Sequence, residues 1–191
     1  MKLALKLIIP AVAAGAMLAA GVLPSSAATA KTVTARPSIT LDGTTYYQLK
    51  NHDGKCLDET GGSTTEGTPA QQWTCNGNPQ QYWAVIYNDT GYALIKNYHS
   101  GMCLSVKDND PNGGGEVWQW PCSNSNAYEN WDPYYTASGD WFIYYNTAAC
   151  DFPEQDSCGL HPDVNSTANG AIIFDQVVSS TAYYWETGSA N

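Results

Sequence analysis

The chain has 191 residues, with 18 acidic residues against 8 basic ones and a formal net charge of -10. Such a surface repels phosphate backbones and anionic lipids, which argues against nucleic acid or a membrane surface as the partner and favours a neutral ligand. The length suits one domain with its own core and leaves no room for a second.

The first thirty residues have a charged head, an apolar middle and a small-residue tail. Lys2 and Lys6 precede an apolar run over residues 7–23, and Ser and Ala follow it. This pattern is typical of a secretory signal peptide, which we predict over residues 1–30. The run is short for a membrane span, contains Pro10 and lacks a basic flank after it. We therefore expect an extracellular protein that has no membrane attachment after cleavage.

The rest of the chain separates into a lead-in and one β-rich domain. Residues 31–45 have no apolar period and predict a flexible lead-in. Over residues 46–188, short runs of Tyr, Trp, Val, Ile and Thr alternate with turn signals such as those at 51–54 and 88–91. No segment keeps a helical period, so the domain is predicted to be all-β.

Most landmarks of the domain return at a fixed offset. Cys56, Trp73 and Cys75 are repeated 47 residues later. The second set is Cys103, Trp120 and Cys122, and a third cycle places Cys150 another 47 residues on. Three β-rich repeats of about 47 residues suit a β-trefoil, because three blades are too few to close a propeller and the chain lacks the helix formers of helical repeats. The tryptophans predicted to meet in the shared core are Trp83, Trp131 and Trp185.

Six cysteines in a chain predicted to be exported indicate disulfides rather than a metal site. Six cysteines allow fifteen connectivities. Given the equal spacing in the first two repeats, the simplest pairs are Cys56–Cys75, Cys103–Cys122 and, from the two left over, Cys150–Cys158. No CxxC motif occurs and the three histidines are isolated in sequence, so we expect no zinc, no other metal and no cofactor.

Three stretches of the first repeat carry a family pattern. They are Gly54-Lys55-Cys56-Leu57-Asp58, residues 67–76, and Gln81-Tyr82-Trp83. Through these stretches, residues 46–188 resemble the ricin B-type lectin domains, a group that includes family 13 carbohydrate-binding modules and has a Gln-x-Trp signature. The resemblance implies a non-catalytic β-trefoil that binds galactose, xylan or related sugars.

The chemistry of a sugar site singles out the first repeat. An aromatic ring covers the C–H face of a sugar, a carboxylate accepts from its hydroxyls, and amides complete the rim because they both donate and accept. The candidate binding residues are Asp58, Gln71, Trp73, Gln80 and Gln81. Each has an ordinary structural alternative: the acid caps a turn, the tryptophan belongs to the core, or the amides tie loops to the backbone.

The other two repeats are predicted to have lost this pattern. In the second repeat, Ser105 and Glu129 stand at the positions of the acid and the signature glutamine, although Trp120 remains. Asp108 or Asp110 is left open as a substitute acceptor. The residues at the corresponding positions of the third repeat are Asp151, Phe174 and Tyr183.

These observations predict a secreted carbohydrate-binding protein that works mainly through the first repeat. A glycoside hydrolase is a second possibility, but the many carboxylates form no recognisable catalytic pair. A third is a protein-binding trefoil, such as a protease inhibitor or toxin-associated subunit, with a relic sugar site. Its natural contact would be the insert that we place over residues 152–169.

We expect peptide mapping of the unreduced protein to recover three bridges, each within one repeat, because the cysteine spacing repeats with the structural unit. The control is the same digest after reduction, in which all three linked peptides should separate. A linked peptide that joins Cys56 to Cys103 or Cys122 would contradict the three-unit interpretation.

Overall fold

A computed structural model describes residues 37–107, 115–135, 142–146, 148, 158–163, 166–177 and 185–186. Within these residues the chain is almost entirely β-structure, with three short 3-10 helices at Thr60–Gly62, Pro79–Gln81 and Ala127–Glu129. No helix in this part of the chain has the length and apolarity to cross a bilayer. The predicted signal peptide, residues 1–30, lies outside the described residues.

The described residues form fourteen strands in one continuous sheet. The strands are β1 Ser38–Leu41, β2 Thr44–Gln48, β3 Lys50–Asn51, β4 Lys55–Glu59, β5 Ala70–Thr74, β6 Tyr82–Tyr87, β7 Ala93–Asn97, β8 Cys103–Val106, β9 Gly115–Trp120, β10 Trp131–Tyr135, β11 Phe142–Asn146, β12 Cys158–Pro162, β13 Ile173–Val177 and β14 Trp185–Glu186. All pairings among these strands are antiparallel, and β14, the last of them, pairs with β3 of the first repeat.

The strand register has a threefold pattern. The hairpins β4–β5, β8–β9 and β12–β13 are equivalent, because each pairs a leucine at the same position: Leu57 with Gln72, Leu104 with Gln119, and Leu160 with Asp175. The strands that end each repeat are equivalent as well, since their tryptophans pair with Asn97, Asn146 and Asn51. The fold is a β-trefoil, as the repeats predicted.

The core is built from threefold layers of apolar side chains. Trp83, Trp131 and Trp185 are completely buried, which confirms their predicted place in the shared core. Each indole N–H donates to a leucine carbonyl of its own repeat, at 3.0 Å to Leu57, 3.0 Å to Leu104 and 2.8 Å to Leu160. Each tryptophan therefore fills the core and satisfies its polar atom at once.

Part of the predicted lead-in is a β-strand. Residues 31–45 were expected to be a flexible lead-in, but β1 lies within them and pairs with β2 in register from Ser38–Tyr47 to Leu41–Thr44. The physical reason is the threefold pattern. The hairpins β6–β7 and β10–β11 each pair the last strand of one repeat with the first strand of the next. Strand β2 begins the first repeat, and β1, from the chain upstream of it, supplies the corresponding partner.

The third repeat does not keep the 47-residue period. The equivalent leucines are 47 residues apart between Leu57 and Leu104, but 56 apart between Leu104 and Leu160. Most of the extra residues lie between β11 and β12, so the insert overlaps the predicted range 152–169 only over 152–157, and β12 occupies Cys158–Pro162. His161 therefore occupies the position of Asp58, which we had given to Asp151.

Both disulfides of the first two repeats are present as predicted. Cys56–Cys75 and Cys103–Cys122 each join β4 or β8 to the chain just after its partner strand, with Cα–Cα distances of 5.0 and 4.9 Å. The predicted Cys150–Cys158 bridge lies outside the described residues, because Cys150 is not among them.

Two buried carboxyls lie at positions where the equivalent residues of the other repeats are uncharged. Glu59 occupies the position of Val106 and Pro162, and Asp175 occupies that of Gln72 and Gln119. Both acids are buried, and none of their carboxyl oxygens has a hydrogen-bond partner among the described residues. Burial raises the pKa of both to about 8. The neighbouring Asp58 carboxylate adds to the rise at Glu59.

We expect the protein to lose stability as the pH rises from about 4.5 to about 8, because over this range the folded state keeps protons on Glu59 and Asp175 that the unfolded chain has released. Urea unfolding at a series of pH values measures the effect. Glu59→Gln keeps the shape without the ionisation and should make the slope shallower.

The matched control for this prediction is Glu66→Gln, at an exposed glutamate. It should leave the pH dependence of unfolding as it is in the parent protein. An unchanged slope in Glu59→Gln would show that this carboxyl does not carry the effect.

Candidate functional site

Asp58 lies at the centre of a hydrogen-bonded group that joins three parts of the first repeat. It is 2% exposed and lies on β4, opposite Gln71 of β5. Gln71 Nε2 donates to Asp58 Oδ1 at 2.8 Å, and Gln81 Nε2 donates to Asp58 Oδ2 at 2.9 Å. Burial raises the pKa of Asp58, and these two donors lower it by stabilising the charged form.

Gln81 holds this group against the loop that follows the disulfide. Its Oε1 accepts from the backbone N–H groups of Asn76 and Gly77 at 2.8 and 3.3 Å, and from Gln48 Nε2 at 3.1 Å. Its Nε2 also donates to the Thr74 carbonyl at 3.0 Å. The signature glutamine is thus both a loop tie and the partner of the acid.

Trp73 provides the exposed aromatic surface beside this group. It follows Gln71 by two residues on β5, so both side chains lie on the same face of the strand. Trp73 is 38% exposed, in contrast to the buried core tryptophans. It is therefore not part of the core, and it is accessible to a ligand.

Gln80 lies at the edge of the group rather than within it. Its side chain is 3.7 Å from where a Cβ on Gly62 would be, so it packs beside the turn that follows Asp58. Its backbone carbonyl accepts from Asn97 Nδ2 at 2.9 Å. Of the five predicted binding residues, the structure joins Asp58, Gln71 and Gln81 by hydrogen bonds and places Trp73 and Gln80 beside them.

The second repeat has the same framework with the carboxylate moved. Ser105 faces Trp118, and Glu129 is buried at the position of Gln81. Glu129 accepts from the Ser123 backbone N–H and from Asn126 Nδ2, both at 2.7 Å. Burial raises the pKa of Glu129, and these donors lower it. This carboxylate is committed to the loop, so it does not replace Asp58 as an acceptor.

The aromatic surface of the second repeat also differs. Trp118 takes the position of Gln71 and stacks on Trp120, with 5.1 Å between ring centroids. Lys107 Nζ lies 5.5 Å from the centre of the Trp118 ring and pairs with Glu116 at 3.1 Å. The suggested substitutes Asp108 and Asp110 lie outside the described residues.

The third repeat lacks the acid and the amide that face each other in the first repeat. His161 and Phe174 face each other at the positions of Asp58 and Gln71. Burial lowers the pKa of His161. Phe174 was expected at the aromatic position, but the register places it at the position of Gln71, two residues before the position of Trp73 on the same strand face. Tyr183 lies outside the described residues.

A segment of the third repeat that the sequence did not predict borders the first-repeat site. A Cβ on Gly170 would be 3.7 Å from Trp73 and 3.8 Å from Gln71 Oε1. No sequence signal identifies this contact, because it joins residues far apart in the chain. Within the described residues, no group of three or more His, Cys, Asp or Glu side chains could hold a metal ion.

The geometry agrees with comparisons to known proteins. Residues 45–159, more than half of the chain, match the family described as the ricin-type β-trefoil lectin domain. The chain belongs to this family. Lectin domains bind carbohydrate, and the family is generally one of binding rather than catalytic domains. The match ends within β12, which fits the weaker pattern of the third repeat.

Individual relatives agree with this assignment. Nigrin b from Sambucus nigra is 30% identical over 77 residues, which cover 40% of this chain but only 12% of that protein. An exo-β-1,3-galactanase from Clostridium thermocellum is 30% identical, with a TM-score of 0.64, and the match covers 78% of this chain and 31% of the enzyme. The lectin domain thus spans a minor part of either relative.

A fungal lectin shares the fold over nearly its whole length. The Rhizoctonia solani agglutinin is 21% identical, with a TM-score of 0.60, and the match covers 78% of this chain and 96% of the agglutinin. At this level of identity the comparison supports the β-trefoil fold and nothing finer.

Gln81→Glu should destabilise the domain by roughly 2–4 kcal/mol at neutral pH, because it places a second carboxylate against Asp58 and removes the donor to Thr74. Adding Asp58→Ser recreates the pair found in the second repeat and should recover most of the loss. Urea unfolding measures both variants. A double variant no more stable than Gln81→Glu alone would contradict the equivalence of the two repeats.

Proposed function

We propose that this lectin domain is an exported, non-catalytic carbohydrate-binding protein that binds glycan through the first repeat. One observation carries the proposal: the Asp58 carboxylate is held by Gln71 and Gln81, and the exposed Trp73 lies on the same strand face as Gln71. This combination of a held acceptor and an accessible aromatic ring is absent at the corresponding described positions of the other repeats.

The arrangement matches the surface of a pyranose. Each Asp58 oxygen accepts one amide hydrogen and keeps capacity for a further bond from a sugar hydroxyl. A sugar with an axial hydroxyl presents adjacent hydroxyls on one edge and a C–H patch that stacks on Trp73. Galactose-type sugars fit this description, and xylose-type sugars are the alternative. The 30% identity with part of an exo-β-1,3-galactanase supports the first choice.

A single shallow site of this kind should bind weakly. A few hydrogen bonds and one stacked ring must replace the water that solvates each sugar hydroxyl, so we expect a Kd in the millimolar range for a monosaccharide, roughly -4 kcal/mol. Clustered glycans would raise the apparent affinity through avidity.

The site is built for binding and not for hydrolysis. Glycoside hydrolysis needs two carboxyls that flank one bond, with room for the sugar between them. Asp58 is tied to two amides, and the next residue, Glu59, points into the core on the opposite face of β4. A reducing-sugar assay on purified protein with galactan and xylan tests this part of the proposal, and turnover that persists through further purification would contradict it.

Export is supported by the leader pattern over residues 1–30 and by the two disulfides of the folded domain. Cell fractionation of a producing strain, with N-terminal sequencing of the exported protein, tests it. Protein that stays inside the cell with Met1 intact would contradict export.

Asp58→Ala should weaken binding of D-galactose by about tenfold to a hundredfold, because it removes the charged acceptor and leaves sugar hydroxyls without partners. Trp73→Ala should cause a similar loss by removing the stacking surface. Calorimetry measures binding, after circular dichroism has shown that each variant is folded.

The matched control is Ser105→Ala, at the equivalent position in the second repeat. It should bind like the parent protein. If Asp58→Ala retains the parent affinity while a change in the second or third repeat abolishes binding, the first repeat is not the site.

A further inference from the structure

The first-repeat site has a neighbour that belongs to another repeat. Residues 166–171 come from the loop between β12 and β13, yet they run along β5, which carries Gln71 and Trp73. Gln72 N–H donates to the Ala171 carbonyl at 2.8 Å, and Gly170 N–H donates to the Gln72 carbonyl at 2.9 Å. We call residues 166–171 the wall segment.

The side chain of Gln72 anchors the same segment from the core side. Its Nε2 donates to the carbonyls of Ser166 and Ala168, at 2.6 and 2.9 Å. Its Oε1 accepts from Asn51 Nδ2 at 2.9 Å. Gln72 is completely buried, so these bonds exclude water and fix the wall segment along one side of β5.

An equivalent contact at the second repeat provides a comparison within the same molecule. There residues 63–68 run along β9: Gln119 N–H donates to the Thr68 carbonyl at 2.9 Å, and Gly67 N–H donates to the Gln119 carbonyl at 2.9 Å. Gln119 Nε2 donates to the carbonyls of Ser63 and Thr65, at 3.0 and 2.9 Å. The backbone scheme is the same in both places, and Gly67 corresponds to Gly170.

One feature distinguishes the contact at the sugar site. Asn169 Oδ1 accepts three hydrogen bonds from the first repeat, from Lys55 Nζ at 2.8 Å, from the Thr74 backbone N–H at 2.9 Å and from Thr74 Oγ1 at 3.0 Å. The corresponding residue at the second repeat is Glu66, whose side chain is exposed and makes no such bond among the described residues.

We call these three hydrogen bonds to Asn169 Oδ1 the three-bond lock. The second repeat also lacks the donors for it. Met102 and Pro121 stand 47 residues after Lys55 and Thr74. Methionine has no ammonium group, and proline has no backbone N–H to donate. The three-bond lock therefore occurs at the first-repeat contact and not at its described counterpart, although the surrounding backbone scheme is shared.

The lock lies next to the residues that would contact sugar. Asn169 precedes Gly170, where an added Cβ would lie 3.7 Å from Trp73 and 3.8 Å from Gln71 Oε1. Gly170 has φ of +84°, so a side chain there would strain the backbone. The wall segment thus presents bare main chain to the exposed tryptophan and leaves its outer face accessible.

We propose that the sugar site of the first repeat is completed by the third repeat, with residues 166–171 forming one wall of the site and Asn169 acting as the residue that positions this wall against Trp73. The inference rests on the proposed function. It predicts that binding depends on a residue from outside the repeat that contains Asp58.

Asn169→Ala and Asn169→Asp test the proposal as a pair. The alanine variant removes the acceptor and should weaken binding of D-galactose by about threefold to tenfold, because Trp73 loses a fixed neighbour. The aspartate variant keeps an oxygen that accepts from all three donors and should bind like the parent. Glu66→Ala, at the equivalent position in the other contact, is the control and should also bind like the parent.

A measurement without sugar separates this inference from the proposed function. In protein labelled with ¹⁵N-tryptophan, the Trp73 indole resonance is assigned by its loss in Trp73→Phe. It should shift or broaden in Asn169→Ala and keep the parent position in Asn169→Asp and Glu66→Ala. Melting temperatures of all variants report whether any loss of binding is only a loss of fold.

The outcomes decide each statement separately. A parent protein that binds neither D-galactose nor D-xylose would contradict the proposed function, while the indole spectrum would still decide whether Asn169 positions the wall. An unchanged Trp73 resonance and affinity in Asn169→Ala would overturn the inference. Equal losses in Glu66→Ala and Asn169→Ala would overturn it as well, because the effect would then belong to any such loop.

Discussion

The fold depends on one interaction that occurs three times, the hydrogen bond from a buried indole to a leucine carbonyl. Trp83 makes this bond to Leu57, and the residue that follows Leu57 is Asp58. Because side chains alternate along a strand, fixing Leu57 in the core directs Asp58 outward to Gln71 and Gln81. The binding group is therefore placed by the packing behind it, and the same packing supports the other repeats whether or not they keep a binding group.

The separation of core positions from outward-facing positions explains how the repeats differ in sequence without loss of the fold. The core layers are shared, but the outward positions are independent of them, so Ser105 and His161 replace Asp58 while Leu104 and Leu160 remain. Where the acid is lost in the second repeat, Glu129 takes over the loop contacts that Gln81 makes in the first. The signature position therefore still anchors its loop in the second repeat, but its side chain no longer donates to an acid on the neighbouring strand.

The sequence predicted what is encoded locally. Residue type and spacing were enough for the trefoil, the core tryptophans and the two disulfides, because each recurs from repeat to repeat. The group around Asp58 occurs in the first repeat, where residue type and spacing within one short stretch indicated it. The register of the third repeat was mispredicted because Cys150 matched the 47-residue period, whereas Leu160 is the true equivalent of Leu57. The position of Gly170 beside Trp73 depends on pairing between residues far apart in the chain, which periodicity within one stretch does not encode. Strand β1 was missed for another reason, because it lies upstream of the first repeat and outside the 47-residue pattern.

The hydrogen bonds between Gln72 and the loop before β13 determine when the first-repeat site can be completed during synthesis. Asp58 and Trp73 leave the ribosome early, but the chain that lies along β5 follows only after the whole of the second repeat and part of the third. A growing or truncated chain that ends before this loop contains every predicted sugar-contacting side chain and still leaves one edge of β5 unpaired. The earliest repeat to be synthesised is thus finished by the last.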